Sequence, residues 1–238
     1  MQKSKNFAII VAAGKGLRME SKTKKQYLEL DGIPVLTRTI MKFDDCDMLH
    51  EIILVIPGKD FNYCEKHIID PFLFSKKIHL VEGGKVRQDS VLNGLKFVRE
   101  RTEDIKKTIV LIHDGVRPFV DQGIIENSIL NALEYKACIP CIKITETVKE
   151  KSPGTSILKT LDRRFLYTAQ TPQAFEFNLI FRAFDHAVKT SFLGTDDASL
   201  VEHLGHKVAI IKGSKLNMKI TTPEDLVLGK YLLTLKIS

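Results

Sequence analysis

The side chains able to do chemistry gather in a few short stretches, and most of them suit an anionic ligand. Ala12-Ala-Gly-Lys-Gly-Leu-Arg-Met19 follows an apolar run. Glycines after a strand let backbone approach a ligand closely, and a helix N-terminus beyond them favours anions. The stretch is not a P-loop, because Gly-Lys-Ser/Thr at the required spacing is missing. Nor is it GxGxxG: Gly14 and Gly16 fit, but Met19 holds the third position. A plain tight turn is the competing reading. Arg18 and Lys25 flank the loop, and a triphosphate needs several fixed cations, with Arg able to clamp phosphate through two parallel bonds. Lys22 and Lys24 read as well as surface lysines.

Gly83-Gly-Lys-Val-Arg-Gln-Asp-Ser90 opens a helical pattern. Its backbone amides and the Ser90 hydroxyl could hold a sugar or a base edge, or Asp and Ser could simply cap the helix. Ile112-His-Asp-Gly-Val-Arg-Pro118 ends an apolar run. Open α/β sheets bind ligands at that end of their strands, and a strand-end Asp114 is placed to hold Mg2+ on phosphates. Arg117 could contact substrate or pair with Asp114 as a structural ion pair. His113 reads as a packed histidine. Gly194-Thr-Asp-Asp-Ala-Ser199 reads as a helix start with Thr195 as its N-cap, or as a polyol-binding cap. Thr222-Pro-Glu-Asp225 is another helix start, and Lys219 just before it has no role in a strand-like stretch. Arg163-Arg164 and Gln170-Thr-Pro-Gln173 read only as polar turns.

The elements that must position these residues follow from pattern. Short apolar runs at Phe7–Ala12, Glu51–Ile56, Ile78–Val81, Ile109–His113, Ala137–Ile144 and Val208–Ile211 lack polar alternation, so both faces should be buried, as in a parallel sheet. Helical periodicity fills the gaps at Gln88–Arg101, Ile124–Leu133 and Ala174–Val188, and Pro34 and Pro223 each stand where a first helical turn would begin. The expected fold is α/β, a Rossmann-like doubly wound, mostly parallel sheet. Residues 145–168 break the alternation. They are polar, carry Pro153-Gly154, and form two strand-like arms, a β-hairpin that needs something to pack on, such as a second subunit. The whole chain, residues 1–238, reads as one domain with this arm.

Composition narrows the class. The chain of 238 residues is 44% hydrophobic and 27% charged, which excludes a disordered tail, a collagen-like repeat and a disulfide-dense mini-domain. The formal charge of +7 is spread along the chain with no single-sign tail, which argues against nucleic acid. Cys138-Ile-Pro-Cys141 lies in a strand-like run, where residues three apart face opposite sides, and no second ligand pair has zinc spacing. The start mimics a signal peptide, but its apolar stretch is short and runs straight into Gly14-Lys-Gly16, where strand and loop explain more. No run reaches membrane-spanning length, so a cytoplasmic protein is expected.

Taken together and in this order, Ala12-Ala-Gly-Lys-Gly-Leu-Arg-Met, Lys25-Gln-Tyr, Gly83-Gly…Arg87…Asp89-Ser90, His113-Asp114…Arg117-Pro118, Gln170-Thr-Pro-Gln173, Thr195-Asp196 and Asn217-Met-Lys219-Ile-Thr resemble the 2-C-methyl-D-erythritol 4-phosphate cytidylyltransferase family. The resemblance runs from Ala8 to the last helix. It implies transfer of CMP from CTP to the polyol phosphate with a divalent metal, in a homodimer that exchanges its β-arm. By resemblance, Ala12, Ala13, Gly14, Gly83, Gly84 and Ser90 would line the cytidine pocket, with Thr171 closing it. Asp114 would hold Mg2+ near the ribose, beside Arg117. Arg18, Lys25 and Lys219 would surround the triphosphate. Thr195 and Asp196 would meet the polyol, and Thr147 and Arg163 would reach the polyol phosphate bound by the partner subunit. Three departures stand out: Val11 where the family often has proline, Gly115-Val116 for Ala-Ala, and Lys85 where an acid is common.

The nearest rival is the ribitol 5-phosphate cytidylyltransferase family. Ala12-Ala13-Gly14 and Tyr167-Thr-Ala-Gln-Thr-Pro favour the methylerythritol reading, while Gly-Val before Arg117 leans to the sister. An NAD-dependent oxidoreductase is a different class, and the missing third glycine and ribose-binding acid of this chain argue against it.

Overall fold

The computed structural model describes residues 5–14, 24–102 and 104–235. The first half of the chain contains β1 (Phe7–Val11), the two-residue strands β2 (Glu29–Leu30) and β3 (Ile33–Pro34), α1 (Val35–Asp44), β4 (Glu51–Ile56), α2 (Phe61–Cys64), β5 (Lys77–Glu82), α3 (Arg87–Arg99) and β6 (Ile109–Asp114). Then come α4 (Gln122–Tyr135), β7 (Ala137–Lys143), β8 (Lys149–Lys151), β9 (Ile157–Thr160), β10 (Tyr167–Ala169) and β11 (Gln173–Glu176). The chain continues through α5 (Phe177–Lys189), α6 (Asp197–His203), β12 (Ala209–Lys212) and α7 (Pro223–Thr234).

The main sheet pairs β5, β4, β1 and β6 in parallel, with β1 at the centre of its registers: Phe7 faces Glu51 on one side and Val110 on the other. Strand β11 then runs antiparallel between β6 and β7. Strands β10 and β11 follow one another along the same edge of β7, from Tyr167 opposite Lys143 to Phe175 opposite Ala137, and β12 joins β7 in parallel. The expected mostly parallel α/β sheet is therefore the observed one, with a single reversed line at β10 and β11.

Period-two burial explains why the inner runs lack polar alternation. On β1, Ala8 and Ile10 join a core layer with Leu36, Ile40 and Phe43 of α1 and Ile125 and Ile129 of α4. Phe7 and Ile9 enter the opposite layer with Val91, Leu95 and Val98 of α3 and Ile180 and Phe184 of α5. A third, smaller cluster of Leu30, Val35, Val116 and Ile220 seats α7.

One helix expectation is corrected. Residues 174–176 are strand, and the helix begins at Phe177. Ala174 and Phe175 satisfy either period, and pairing with β6 on one side and β7 on the other decides for strand. A second correction concerns a cap: Asp196, not Thr195, is the N-cap of α6, its side chain accepting from the Ser199 amide at 2.9 Å. Thr222 caps α7 as read, with Pro223 in the first turn. The hairpin of β8 and β9 forms its own two-stranded sheet apart from the main one. Both CxxC thiols lie on β7, and burial pushes Cys138 up to about 12 and Cys141 up to about 11.

Candidate active site

The carboxyl ends of β1 and β6 and the loop after β5 open onto one cleft of about 530 Å³. Its floor is Val11 to Gly14, one wall is Gly84 to Arg87 with Ser90, and Lys25, Gln26, Asp114, Val116 and Lys219 line the rest. A larger groove, about 660 Å³, lies between α1, residues 118–121 and α7. Its lining is mainly apolar and includes none of the strand ends, so the smaller cleft is the chemical one.

The two glycine-bearing loops meet because Gly83 has no side chain: a Cβ there would sit 2.4 Å from the Ala13 Cβ. Ser90 fixes the second loop, accepting from the Gly84 amide at 3.0 Å and donating to the Val86 carbonyl at 3.0 Å. Asp89 adds a bond from the Val86 amide at 3.4 Å. Gly115 is likewise steric: a Cβ would lie 2.8 Å from Leu36 and 2.9 Å from Ala12, so the family's alanine would need the neighbours to shift.

Among the described residues, Asp114 is the one carboxylate lining the cleft. Lys219 Nζ lies 2.9 Å from its Oδ2, Arg117 Nε 3.4 Å from the same oxygen, and Arg87 Nε 3.5 Å from Oδ1. Burial alone would raise this carboxyl; Lys219, then Arg87 and Arg117, outweigh burial and hold it well below the usual carboxylate range. Cations drawn from three separated stretches thus converge on one acid.

Behind Asp114 lies a bonded support. The Thr171 hydroxyl accepts from the Asp114 amide at 3.2 Å and meets His113 Nδ1 at 2.9 Å. His113 Nε2 faces the Arg117 carbonyl at 3.2 Å, so Nε2 carries the hydrogen and Nδ1 accepts from Thr171. Burial pushes His113 down to about 3, which keeps the ring neutral. Asn217 continues the support: its amide donates to the Thr171 carbonyl at 2.8 Å, and its own carbonyl accepts from Arg117 Nη1 at 2.7 Å. That arrangement seats the segment carrying Lys219.

A hollow of about 170 Å³ adjoins the cleft and is lined by Thr195 and Asp196, with Val86 and Arg87 common to both. Arg87 grips Asp197 through two bonds of 2.9 and 2.7 Å. Gln88 holds the Gly194 amide at 3.1 Å and the Phe192 carbonyl at 3.1 Å. Gln173 donates to Asp196 at 2.7 Å.

The structure thus brings Ala12, Ala13, Gly14, Gly84, Ser90, Asp114, Lys25 and Lys219 to one cleft, with Gly83 packed behind its floor and Thr195 and Asp196 beside it. Arg117 and Thr171 stand behind Asp114 rather than on the lining. Thr147 and Arg163 are exposed on the arm, outside both cavities, with Arg163 donating to the Thr145 carbonyl. Arg18 lies outside the described residues. Sequence reasoning gave no role to Arg87, Gln26, Gln173 or Asn217 and did not foresee that Asp197, an acid in the first turn of α6, pairs with Arg87. The only signal was a second acid in that turn, more than the cap requires.

Among the described residues no group of three or more His, Cys, Asp or Glu side chains could hold a metal ion, and no helix is long and apolar enough to cross a membrane.

Residues 7–235 match the family described as IspD: 2-C-methyl-D-erythritol 4-phosphate cytidylyltransferase. A protein of that name from Alkaliphilus oremlandii is 44% identical over 97% of this chain and 95% of its own. One from Syntrophotalea carbinolica is 45% identical over 95% of each. The crystal structure of 4-diphosphocytidyl-2C-methyl-D-erythritol synthase from Anaerococcus prevotii superposes with a TM-score of 0.84 at 33% identity, covering 97% of this chain and 96% of that one. The sequence match spans every element that builds the cleft, and the chain belongs to the 2-C-methyl-D-erythritol 4-phosphate cytidylyltransferase family.

Proposed function

We propose that the protein transfers the cytidylyl group of CTP to 2-C-methyl-D-erythritol 4-phosphate and releases pyrophosphate, in isoprenoid precursor synthesis. The observation that carries this reading is the cleft itself: one carboxylate, Asp114, among Lys25, Lys85, Arg87 and Lys219, at the carboxyl ends of parallel strands. A neutral sugar needs no such excess of cations.

The acceptor phosphate is its own nucleophile. Its second ionisation lies near ~6, so it is mostly dianionic at neutral pH and needs no general base. One of its oxygens attacks the α-phosphorus of CTP in line; the bond from that phosphorus to the bridging oxygen breaks, and pyrophosphate leaves with the electron pair. Charge spreads over the phosphoryl oxygens, so fixed cations supply most of the rate. Lys25 and Lys219, with Arg18, hold the triphosphate. The Ala12 to Gly14 loop, Gly84 and Ser90 cradle the cytidine, with Gly83 and Thr171 supporting. Thr195 and Asp196 face the polyol. Losing one cation costs about 3–4 kcal/mol, by analogy with oxyanion-site deletions.

The donor set suits a divalent cation of the kind that takes one protein carboxylate: Asp114 faces the cleft, and among the described residues no second acid lines it. Held by Asp114, by phosphate oxygens and by water, Mg2+ would neutralise charge on the triphosphate and the leaving pyrophosphate.

The arm at 145–168 is read as pairing with a second copy of the chain. Ile157, Leu158, Phe165 and Tyr167 expose apolar surface along it, which supports that reading. Thr147 and Arg163 would then serve the partner's polyol phosphate. The protein is read as cytoplasmic.

The test is pyrophosphate release from CTP with each polyol phosphate. Turnover with methylerythritol phosphate and little with ribitol 5-phosphate is expected. Failure to consume CTP with the former refutes the assignment.

A further inference from the structure

Lys25 sits in a single 3-10 turn, Lys25–Tyr27, that follows the first glycine-bearing loop, and its neighbours are tied down one by one. Gln26 is buried and donates to the Ala12 carbonyl on the cleft floor at 2.8 Å. The Tyr27 hydroxyl donates to Asp60 Oδ2 at 3.0 Å, and Lys24 forms an ion pair with the same oxygen. The Tyr27 ring packs on Tyr63 with centroids 4.9 Å apart. Asp60 ends the short turn after β4, its amide bonded to the Pro57 carbonyl at 2.8 Å, and its side chain is largely buried. It is not among the cleft-lining residues.

An exposed lysine loses much side-chain and backbone freedom when it holds a phosphate. A lysine whose flanking residues are already anchored loses less, and a small misplacement of a positioning group is costly to the rate. Here residue 24 is tied to β4 through Asp60, residue 26 to β1 through Ala12, and residue 27 again to Asp60. Only the turn carrying Lys25 lies between these anchors.

We propose that Asp60 is a positioning residue for the triphosphate: by holding Lys24 and Tyr27 together it fixes the turn that presents Lys25 to the cleft. The proposal rests on the reading of Lys25 as a phosphate-binding cation.

A double-mutant cycle on the full chain tests it, measuring pyrophosphate release with CTP and polyol phosphate varied separately. Asp60→Ala is expected to lower kcat/KM for CTP by about 10- to 100-fold while the KM for polyol phosphate stays within about twofold. Asp60→Asn, which keeps an acceptor for Tyr27, should recover part of the loss, and Tyr27→Phe, which deletes one hydroxyl, should show a smaller loss of the same kind. In the Lys25→Met background the Asp60 substitutions should cost nothing further. If the losses of Lys25→Met and Asp60→Ala multiply, Asp60 does not act through Lys25 and the proposal falls while Lys25 keeps its role. If Lys25→Met alone turns over normally, the reading of Lys25 fails first and takes the proposal with it. Should Asp60→Ala not fold, normal CTP kinetics in both Asp60→Asn and Tyr27→Phe overturn it.

Discussion

Replacing Arg87, which lines both cavities, by glutamine isolates the buried charge of Asp197. Asp197 is 1% exposed, and both of its carboxylate oxygens are met by Arg87, at 2.9 and 2.7 Å. Arg87→Gln therefore strands a buried carboxylate, a change that costs about 3–5 kcal/mol. For a chain of this length each kcal/mol shifts melting by about 2–4 °C, so the variant should melt about 6–20 °C lower at pH 8. The sign with pH is fixed. Burial already raises the Asp197 carboxyl and Arg87 opposes it, so removing Arg87 raises it further. A carboxyl raised above its unfolded value weakens the fold progressively as pH climbs through the interval between the two values. The loss must then be smaller at pH 5 than at pH 8. Adding Asp197→Asn removes the stranded charge and should restore at least half of the lost melting temperature. Asp114 does not confuse the result, because Lys219 and Arg117 still face it. Thermal unfolding by circular dichroism at the two pH values is the assay. A variant that melts within 2 °C of the parent at pH 8, or a double variant no more stable than Arg87→Gln, would refute the reasoning.

Lys219→Met removes the nearest cation to Asp114 and should lower kcat/KM for CTP by about 10²–10³-fold, read by steady-state kinetics with CTP varied. Thr171→Val leaves the Asp114 amide and His113 Nδ1 without their partner, costing about 2–4 kcal/mol and about 4–16 °C of melting, read by calorimetry. The four thiols are buried, and burial lifts Cys64 and Cys138 to about 12 and Cys141 to about 11. A disulfide reagent at pH 8 should therefore label almost none until denaturant is added, and prompt labelling of the native protein would contradict the fold.

The parallel core was legible because β1, β4 and β6 are buried on both faces, and continuous apolar runs have few other uses. Strand β11 was not. Gln173-Ala-Phe-Glu176 is too short to show a period, and only its pairing with β6 and β7 makes it strand. At the site, Asp114 and the glycine-bearing loops could be read because their chemistry depends on local order along the chain. Arg87 and Asp197 are 110 positions apart, so nothing in either stretch announces the pair. Asn217 is harder still: its work is to join Thr171 and Arg117 from behind, and an asparagine before a strand-like stretch carries no such mark. Apart from the family resemblance, Lys219 drew notice only as a charge out of place, and the structure supplies its reason in Asp114.

The order in which these cations appear along the chain bears on synthesis. Asp114 leaves the ribosome together with Arg117 and soon after Arg87, whereas Lys219 follows only about a hundred residues later. Until then the parallel strands can zip, but the segment that locks Arg117 and Thr171 is missing. The proposed triphosphate site is consequently complete only after residue 219 has been added, because no earlier segment holds all of its cations.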